Sequence, residues 1–345
     1  MKIIKYLLFL ILILIIGSSI YIATKEGDYQ LEEKRIIAAP QEMIFNEVNE
    51  FRNWEEWFAW LQSENNPIIT YSEESSGEGA VLSWKSDEVG NGKITNTGVR
   101  PFSSINQDME YTIPFGESTS EVYWNFEQTE NGTQITWGVQ GKHSFMEKLG
   151  FLLQTDDFSD IWRTRMQQSL DDLERITNEK MAEYSINVDG VTQHGGGYYM
   201  YSTTASKLSQ VNDRMSTMIA DISSYMEKNN IEKLGNPFVL YNEWNNGNTT
   251  AIFSAGYFTP SEIITPEESP VLTGFMPNQK VVKTTLKGSY DNLPEAWDRA
   301  HAYIQENNLV PLEESDSFEV YNIRPQDTRN PANWITTIYI PVQEP

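Results

Sequence analysis

An internal repeat constrains this chain more than any other feature, because a segment that recurs at a fixed offset settles architecture before local propensity does. Tyr303, Asn307 and Asn308 lie 78 residues after Tyr225, Asn229 and Asn230, and at that offset Leu293, Trp297, Ala300 and Ile304 fall on Met215, Ile219, Ile222 and Met226. Each set of four has three-to-four spacing, which places it on one apolar helix stripe. Tyr321 follows Tyr241 by 80 residues and Thr336-Thr337 follows Thr249-Thr250 by 87, so the drift accumulates in loops. Around the later helix, residues 281–286, 318–321 and 335–341 are rich in β-branched and aromatic residues and read as strands. The pattern predicts a tandem βαββ duplication over residues 196–342.

The run Lys287-Gly288-Ser289-Tyr290-Asp291-Asn292-Leu293 with Ala296-Trp297, then Phe318-Glu319-Val320-Tyr321, then Thr336-Thr337-Ile338-Tyr339-Ile340-Pro341-Val342, resembles the GyrI-like effector-binding domain. That domain is also found fused to AraC-type and MerR-type regulators. The resemblance implies two βαββ repeats around a pseudo-twofold groove that takes small, often cationic and aromatic, molecules. Some relatives hydrolyse small electrophiles with a pocket Glu and Tyr. The usual closing motif has Glu after the first Thr, where this chain has Thr337.

Strand parity gives a candidate groove. If Phe318 and Val320 face the packed helices, Glu319 and Tyr321 point to the other face, together with Thr337 and Tyr339, and with Tyr241 and Glu243 from the first repeat. Trp297 and Trp334 complete the expected ligand-binding set of Tyr241, Glu243, Trp297, Glu319, Tyr321, Trp334, Thr337 and Tyr339. Glu243 and Glu319 are expected near the rim, where water screens them. With Thr337 offering only a hydroxyl, the expected ligand is a neutral or weakly polar aromatic molecule.

The N-terminus follows different rules. Residues 6–23 are almost wholly apolar, close to the ~20 residues that cross a bilayer, and Lys2 and Lys5 precede them. A retained anchor over residues 1–25 is expected, single-pass, with everything after Lys25 extracytoplasmic by the positive-inside rule; a cleaved signal peptide is the rival.

Between anchor and repeat, a strand ending at Ala38-Ala39-Pro40 precedes a helix carrying Met43, Ile44, Val48 and Phe51 on one stripe. Strands at 122–126 and 135–139 flank Asn131-Gly132, a tight-turn dipeptide, and Asn91-Gly92 gives a second turn signal. A long helix from residue 161 to 181 presents Trp162, Met166, Leu170, Leu173 and Ile176 or Thr177 on one face. The residues Ile36-Ile37-Ala38-Ala39-Pro40, Ile44-Phe45, Phe51-Arg52-Asn53-Trp54-Glu55-Glu56-Trp57, Gly77-Glu78-Gly79-Ala80 and Ser83-Trp84 resemble the SRPBCC superfamily, the START-like or polyketide-cyclase-like helix-grip fold. That resemblance implies a cavity between a curved antiparallel sheet and the closing helix. Trp54, Trp57, Trp60, Trp84, Trp124 and Trp137 are read as core packing.

The fold class expected is thus α+β: one transmembrane helix, an SRPBCC/START-like domain over residues 28–182, and a GyrI-like domain over 185–345. Residues 183–195, with Asp189-Gly190 and Gly195-Gly196-Gly197, read as the linker, and the proline-bearing stretch 259–277 as a connection lying across the surface.

Composition excludes several chemistries. The absence of cysteine removes disulfides, thiol nucleophiles and thiolate metal sites. His143, His194 and His301 have no metal-ligand spacing. A formal charge of −24 without a basic stripe argues against nucleic acid. No catalytic residue, metal or cofactor is assigned. The function expected is a membrane-anchored protein that binds a small hydrophobic or aromatic ligand without catalysis, the alternative being a hydrolase of small electrophiles acting in the GyrI-like groove.

Overall fold

The computed structural model describes residues 2–62, 67–86, 90–113, 116–151, 158–245, 249–312 and 315–343. Helix α1 (Lys2–Thr24) carries charge only at its first turn. It is long and apolar enough to cross a membrane, as is a signal sequence. The chain divides into two units, Met1–Lys180 and Met181–Pro345.

In the first unit, β1 (Asp28–Ile37) leads through Ala38-Ala39-Pro40 into α2 (Gln41–Asn49). Pro40, with φ −62°, is the residue that caps that helix, since its ring fixes the entry geometry and it needs no N–H there. Strands β2 (Ile68–Tyr71), β3 (Val81–Lys85), β4 (Gly92–Arg100), β5 (Ser104–Ile113), β6 (Gly116–Thr129) and β7 (Gly132–Lys142) follow, then α3 (Phe145–Phe151) and α4 (Phe158–Ala182). They form one antiparallel sheet in the order β1-β7-β6-β5-β4-β3-β2. The β6–β7 turn is Glu130-Asn131, one residue earlier than the dipeptide suggests, because Thr129 pairs with Gly132. Gly132, at φ +126°, lies so close to the Ile37 carbonyl that no side chain fits.

Helix α4 lies across the sheet on named contacts. Arg163 pairs with Glu33 at 2.8 Å and Lys180 with Glu47 at 2.8 Å, while the Ser169 hydroxyl accepts from the Ala59 N–H at 2.9 Å. The residues after α2 form a short 3-10 turn at Phe51–Glu56 rather than a long helix, yet Trp54, Trp57 and Trp60 are all buried. They meet the tryptophans of the sheet and of α4 directly: Trp54 lies 6.3 Å from Trp124 on β6, Trp60 lies 5.0 Å from Trp162 on α4, and Trp124 stacks on Trp137 at 4.3 Å. Indole rings thus fill the space between sheet and α4.

The second unit runs β8 (Ser185–His194), β9 (Gly197–Lys207), α5 (Val211–Lys228), β10 (Leu234–Asn245), β11 (Thr250–Thr259), β12 (Leu272–Met276), β13 (Gln279–Lys287), α6 (Leu293–Glu306), β14 (Val310–Pro311), β15 (Phe318–Ile323) and β16 (Ile335–Gln343). The sheet order is β12-β9-β11-β10-β15-β16-β13-β8, with β14 alongside β16. Residues 185–194, expected as linker, are therefore an edge strand paired with β13 along its length. Part of the 259–277 connection is also a strand, β12, at the other edge.

Both helices lie on one face of this sheet. Met215, Ile219, Ile222 and Met226 of α5 pack on Met200, Phe253 and Tyr257, and Leu293, Ala296, Ala300 and Ile304 of α6 pack on Val282, Leu286, Ile338 and Ile340. The other face is apolar too. Phe238, Leu240, Met276 and Phe318 are buried there with Tyr199, Phe258, Val320 and Tyr339 against them.

Candidate functional site

The two helix-bearing halves of the sheet meet where β10 pairs with β15, with Val239 opposite Glu319. Directly opposed residues share a face, so Glu319 follows Val239, which belongs to the α5 core. Phe318 and Val320 fall on the aromatic cluster beyond the sheet. The parity expectation is therefore reversed: Glu319 and Tyr321 point at the helices, and Phe318 and Val320 point away.

Glu319 is 1 % exposed, not at a rim. Its Oε2 accepts from the Tyr241 hydroxyl at 2.9 Å and, over a shorter distance, from the Tyr321 hydroxyl. Its Oε1 accepts from Trp297 Nε1, on α6, at 2.7 Å. Among the described residues it has no ion-pair partner. Burial pushes its carboxyl above the ordinary carboxylate range, and these three donors only partly offset the shift. Burial and the adjacent Glu319 push the hydroxyls of Tyr241 and Tyr321 well above the usual tyrosine range.

Aromatic rings wall this carboxylate. Tyr241 meets Trp297 edge-on at 5.9 Å, and Trp297 stacks on His301 at 5.9 Å. Tyr290, in the turn before α6, meets Tyr321 at 5.4 Å and Trp334 at 4.9 Å. Trp334 is held by donation from its Nε1 to the Thr328 carbonyl at 2.8 Å. The Thr336 hydroxyl, on the residue paired with Tyr321, is buried without a hydrogen-bond partner among the described residues.

Five of the eight sequence-derived residues thus come together on the helix face: Tyr241, Trp297, Glu319, Tyr321 and Trp334. The other three do not. Thr337 pairs with Val320, on the opposite face, and donates to Asn322 Oδ1 at 2.7 Å. Tyr339 stacks on Phe318 at 4.9 Å. Glu243 is exposed and leaves the face of Tyr241 because a bulge intervenes. Tyr241 pairs with Phe253 and Glu243 with Ile252, so two steps along β10 match one along β11, and the side-chain alternation slips. Tyr290 and Thr336 were missed as site residues. The Ser289-Tyr290 turn ahead of a helix was a visible signal for the first; nothing local marks the second.

Residues 198–343 match the family model of the GyrI-like small molecule binding domain. The second unit therefore carries a GyrI-like domain within a mixed α+β chain of large antiparallel sheets. Among solved structures, a protein of Rhizobium leguminosarum is similar at 15% identity, covering 45% of this chain and 97% of that one, with a TM-score of 0.36. The EcmrR C-terminal domain is similar at 16% identity, covering 47% and 99%, with a TM-score of 0.39. EcmrR in its complex with DNA is similar at 15% identity, covering 57% and 76%, with a TM-score of 0.41. No curated protein sequence matches the chain.

Proposed function

We propose that the second unit binds a small aromatic molecule that brings a positive charge or a hydrogen-bond donor to Glu319, and that α1 holds the protein at a membrane with both units outside the cytoplasm. The observation that carries the ligand reading is the buried Glu319 carboxylate, without an ion-pair partner among the described residues and walled by Tyr241, Tyr290, Trp297 and Tyr321. A buried charge lacking a counter-ion costs several kcal/mol. A cationic ring system supplies that counter-ion and faces for the aromatic walls. The ligand preference argued from Thr337 alone is replaced by this one, since Thr337 lies on the opposite face.

On this reading the runs β9-α5-β10-β11 and β13-α6-β15-β16 are the two copies of one module, and Glu319 sits at their junction. The first unit is an SRPBCC-like domain. The strand-helix start, the single antiparallel sheet and the long closing α4 support that assignment, while the tryptophan-filled interior favours a scaffold over a second carrier cavity.

Titration of the whole protein with a rhodamine-type cationic dye tests the ligand reading. Glu319→Gln is expected to weaken binding by at least about tenfold, the equivalent of one charge-assisted hydrogen bond. Equal affinity of wild type and variant overturns it.

One observation favours a second reading as a hydrolase. A buried carboxyl pushed upward and touching two tyrosine hydroxyls has the form of an acid–base group. Turnover of an aromatic epoxide such as styrene oxide, lost in Glu319→Gln, supports it; no turnover by the wild type removes it.

A further inference from the structure

Helix α3 is oriented the wrong way for a helix in water. Its acid, Glu147, is 3 % exposed, while its neighbours Phe145 and Met146 are 42 % and 39 % exposed. The carboxylate fixes the helix to the domain: Glu147 accepts from the Ser118 hydroxyl at 2.5 Å and from the Ser144 N–H at 2.7 Å, and His143 lies 3.7 Å away. Against the desolvation that pushes it up, those hydrogen bonds hold Glu147 below the ordinary carboxylate range. With Glu147 committed inward, Phe145 and Met146 are turned out. A water-facing amphipathic helix has the opposite arrangement.

The place of α3 identifies what covers that face. Helix α1 packs against α3, and near its end Ile22 is buried although Ile20 and Tyr21 before it are exposed. Only Lys25, Glu26 and Gly27 separate α1 from β1, and they are clamped. The His143 N–H donates to the Gly27 carbonyl at 2.8 Å, and Lys148 Nζ, from α3, donates to the Lys25 carbonyl at 2.5 Å. The Lys148 side chain passes close over Gly27, where a Cβ would lie 2.9 Å from Lys148 Cε and 3.1 Å from the His143 carbonyl oxygen. Lys25 Nζ sits over the Tyr21 ring at 4.8 Å, a Tyr–Lys pair of the kind that marks the end of a span at the lipid headgroups. Where α1 leaves a bilayer, α3 is therefore at the same depth.

We propose that α3 is a lipid-contacting element, with Phe145 and Met146 immersed in the interfacial region beside the exit of α1. Such elements bury an apolar face about 5–10 Å into the headgroup and acyl boundary. The consequence is a first unit seated against the membrane surface at two places instead of hanging from one tether. The inference rests on the reading of α1 as a retained anchor.

The chain has no cysteine, so single Phe145→Cys and Met146→Cys variants of the full chain, labelled with an environment-sensitive fluorophore in phosphatidylcholine–phosphatidylglycerol vesicles, report on this face alone. Ile13→Cys in α1 and Ile68→Cys, at a residue 69 % exposed on β2, serve as lipid and water references. Labels at 145 and 146 are expected to lose quenching by aqueous iodide and gain quenching by brominated lipid, as at 13, with the reverse at 68. If 145 and 146 behave like 68 while 13 is in lipid, the proposal is overturned and the anchor stands. If the label at 13 is in water, or the protein leaves the vesicles, the anchor reading falls and takes the proposal with it. Shielding from iodide without quenching by brominated lipid means that a second copy or another protein covers the face, which also overturns the proposal.

Discussion

The indole Nε1 of Trp297 donates to Oε1 of Glu319 at 2.7 Å, so α6 is tied to β15 through a buried carboxylate. Trp297→Phe keeps a ring in place and removes that donor. A hydrogen bond to a charged group contributes about 1.5–3 kcal/mol, and the variant is expected to lose stability of that order in urea unfolding. Dye affinity should fall less than in Glu319→Gln, because the carboxylate remains.

The pH dependence of stability isolates Glu319 itself. Burial lets the folded chain hold this proton to higher pH than the unfolded chain does. Between the ordinary carboxylate range and the raised value, the folded state binds more protons, so its contribution is present at low pH and lost as pH rises through that interval. Wild type is therefore expected to lose stability relative to Glu319→Gln on going from acid to neutral pH, with a constant difference beyond. A cationic ligand reverses the trend, its affinity falling as Glu319 is protonated. Urea midpoints across pH, with and without dye, check both signs.

Thr337→Glu, which restores the residue usual in the GyrI-like closing motif, is expected to create no cation site. Thr337 is buried against Asn322 on the face away from Glu319, and an unpaired carboxylate there costs several kcal/mol unless it takes up a proton. The expected result is a lower melting temperature with unchanged dye affinity per folded molecule. Tighter dye binding by the variant contradicts the face assignment.

Trp124→Ala tests the interior of the first unit. Trp124 is fully buried, stacks on Trp137 and donates from Nε1 to Gln107 Oε1 at 3.0 Å. Truncation leaves a cavity and takes the donor from Gln107 Oε1, expected to cost about 3–5 kcal/mol. Denaturant unfolding of the full chain, followed by tryptophan fluorescence, measures it.

The helices were legible because each buries one stripe. The spacing of Leu293, Ala300 and Ile304, or of Met215, Ile222 and Met226, is the 3.6-residue period itself. The strands of the second unit were legible as strands but not in their facing. In Phe318-Glu319-Val320-Tyr321 the apolar-polar alternation suggests that Phe and Val face the helices, yet both faces of this sheet are covered, so alternation no longer says which side bears them. The slip at Glu243 depends on one extra residue in β10, invisible without the partner strand. Strand β8 read as linker because an edge strand with Asp189 and Gly190 in it is polar, and its pairing with β13 is non-local.

The stacked pair Trp124 and Trp137, 4.3 Å apart and 15° from parallel, has an optical consequence. Two indole transitions at that separation couple, and the coupling vanishes once the rings part. Among the described residues, Trp–Trp pairs occur in the first unit alone, so the indole–indole component of the circular dichroism is an intrinsic reporter of that unit's tertiary packing and needs no attached probe.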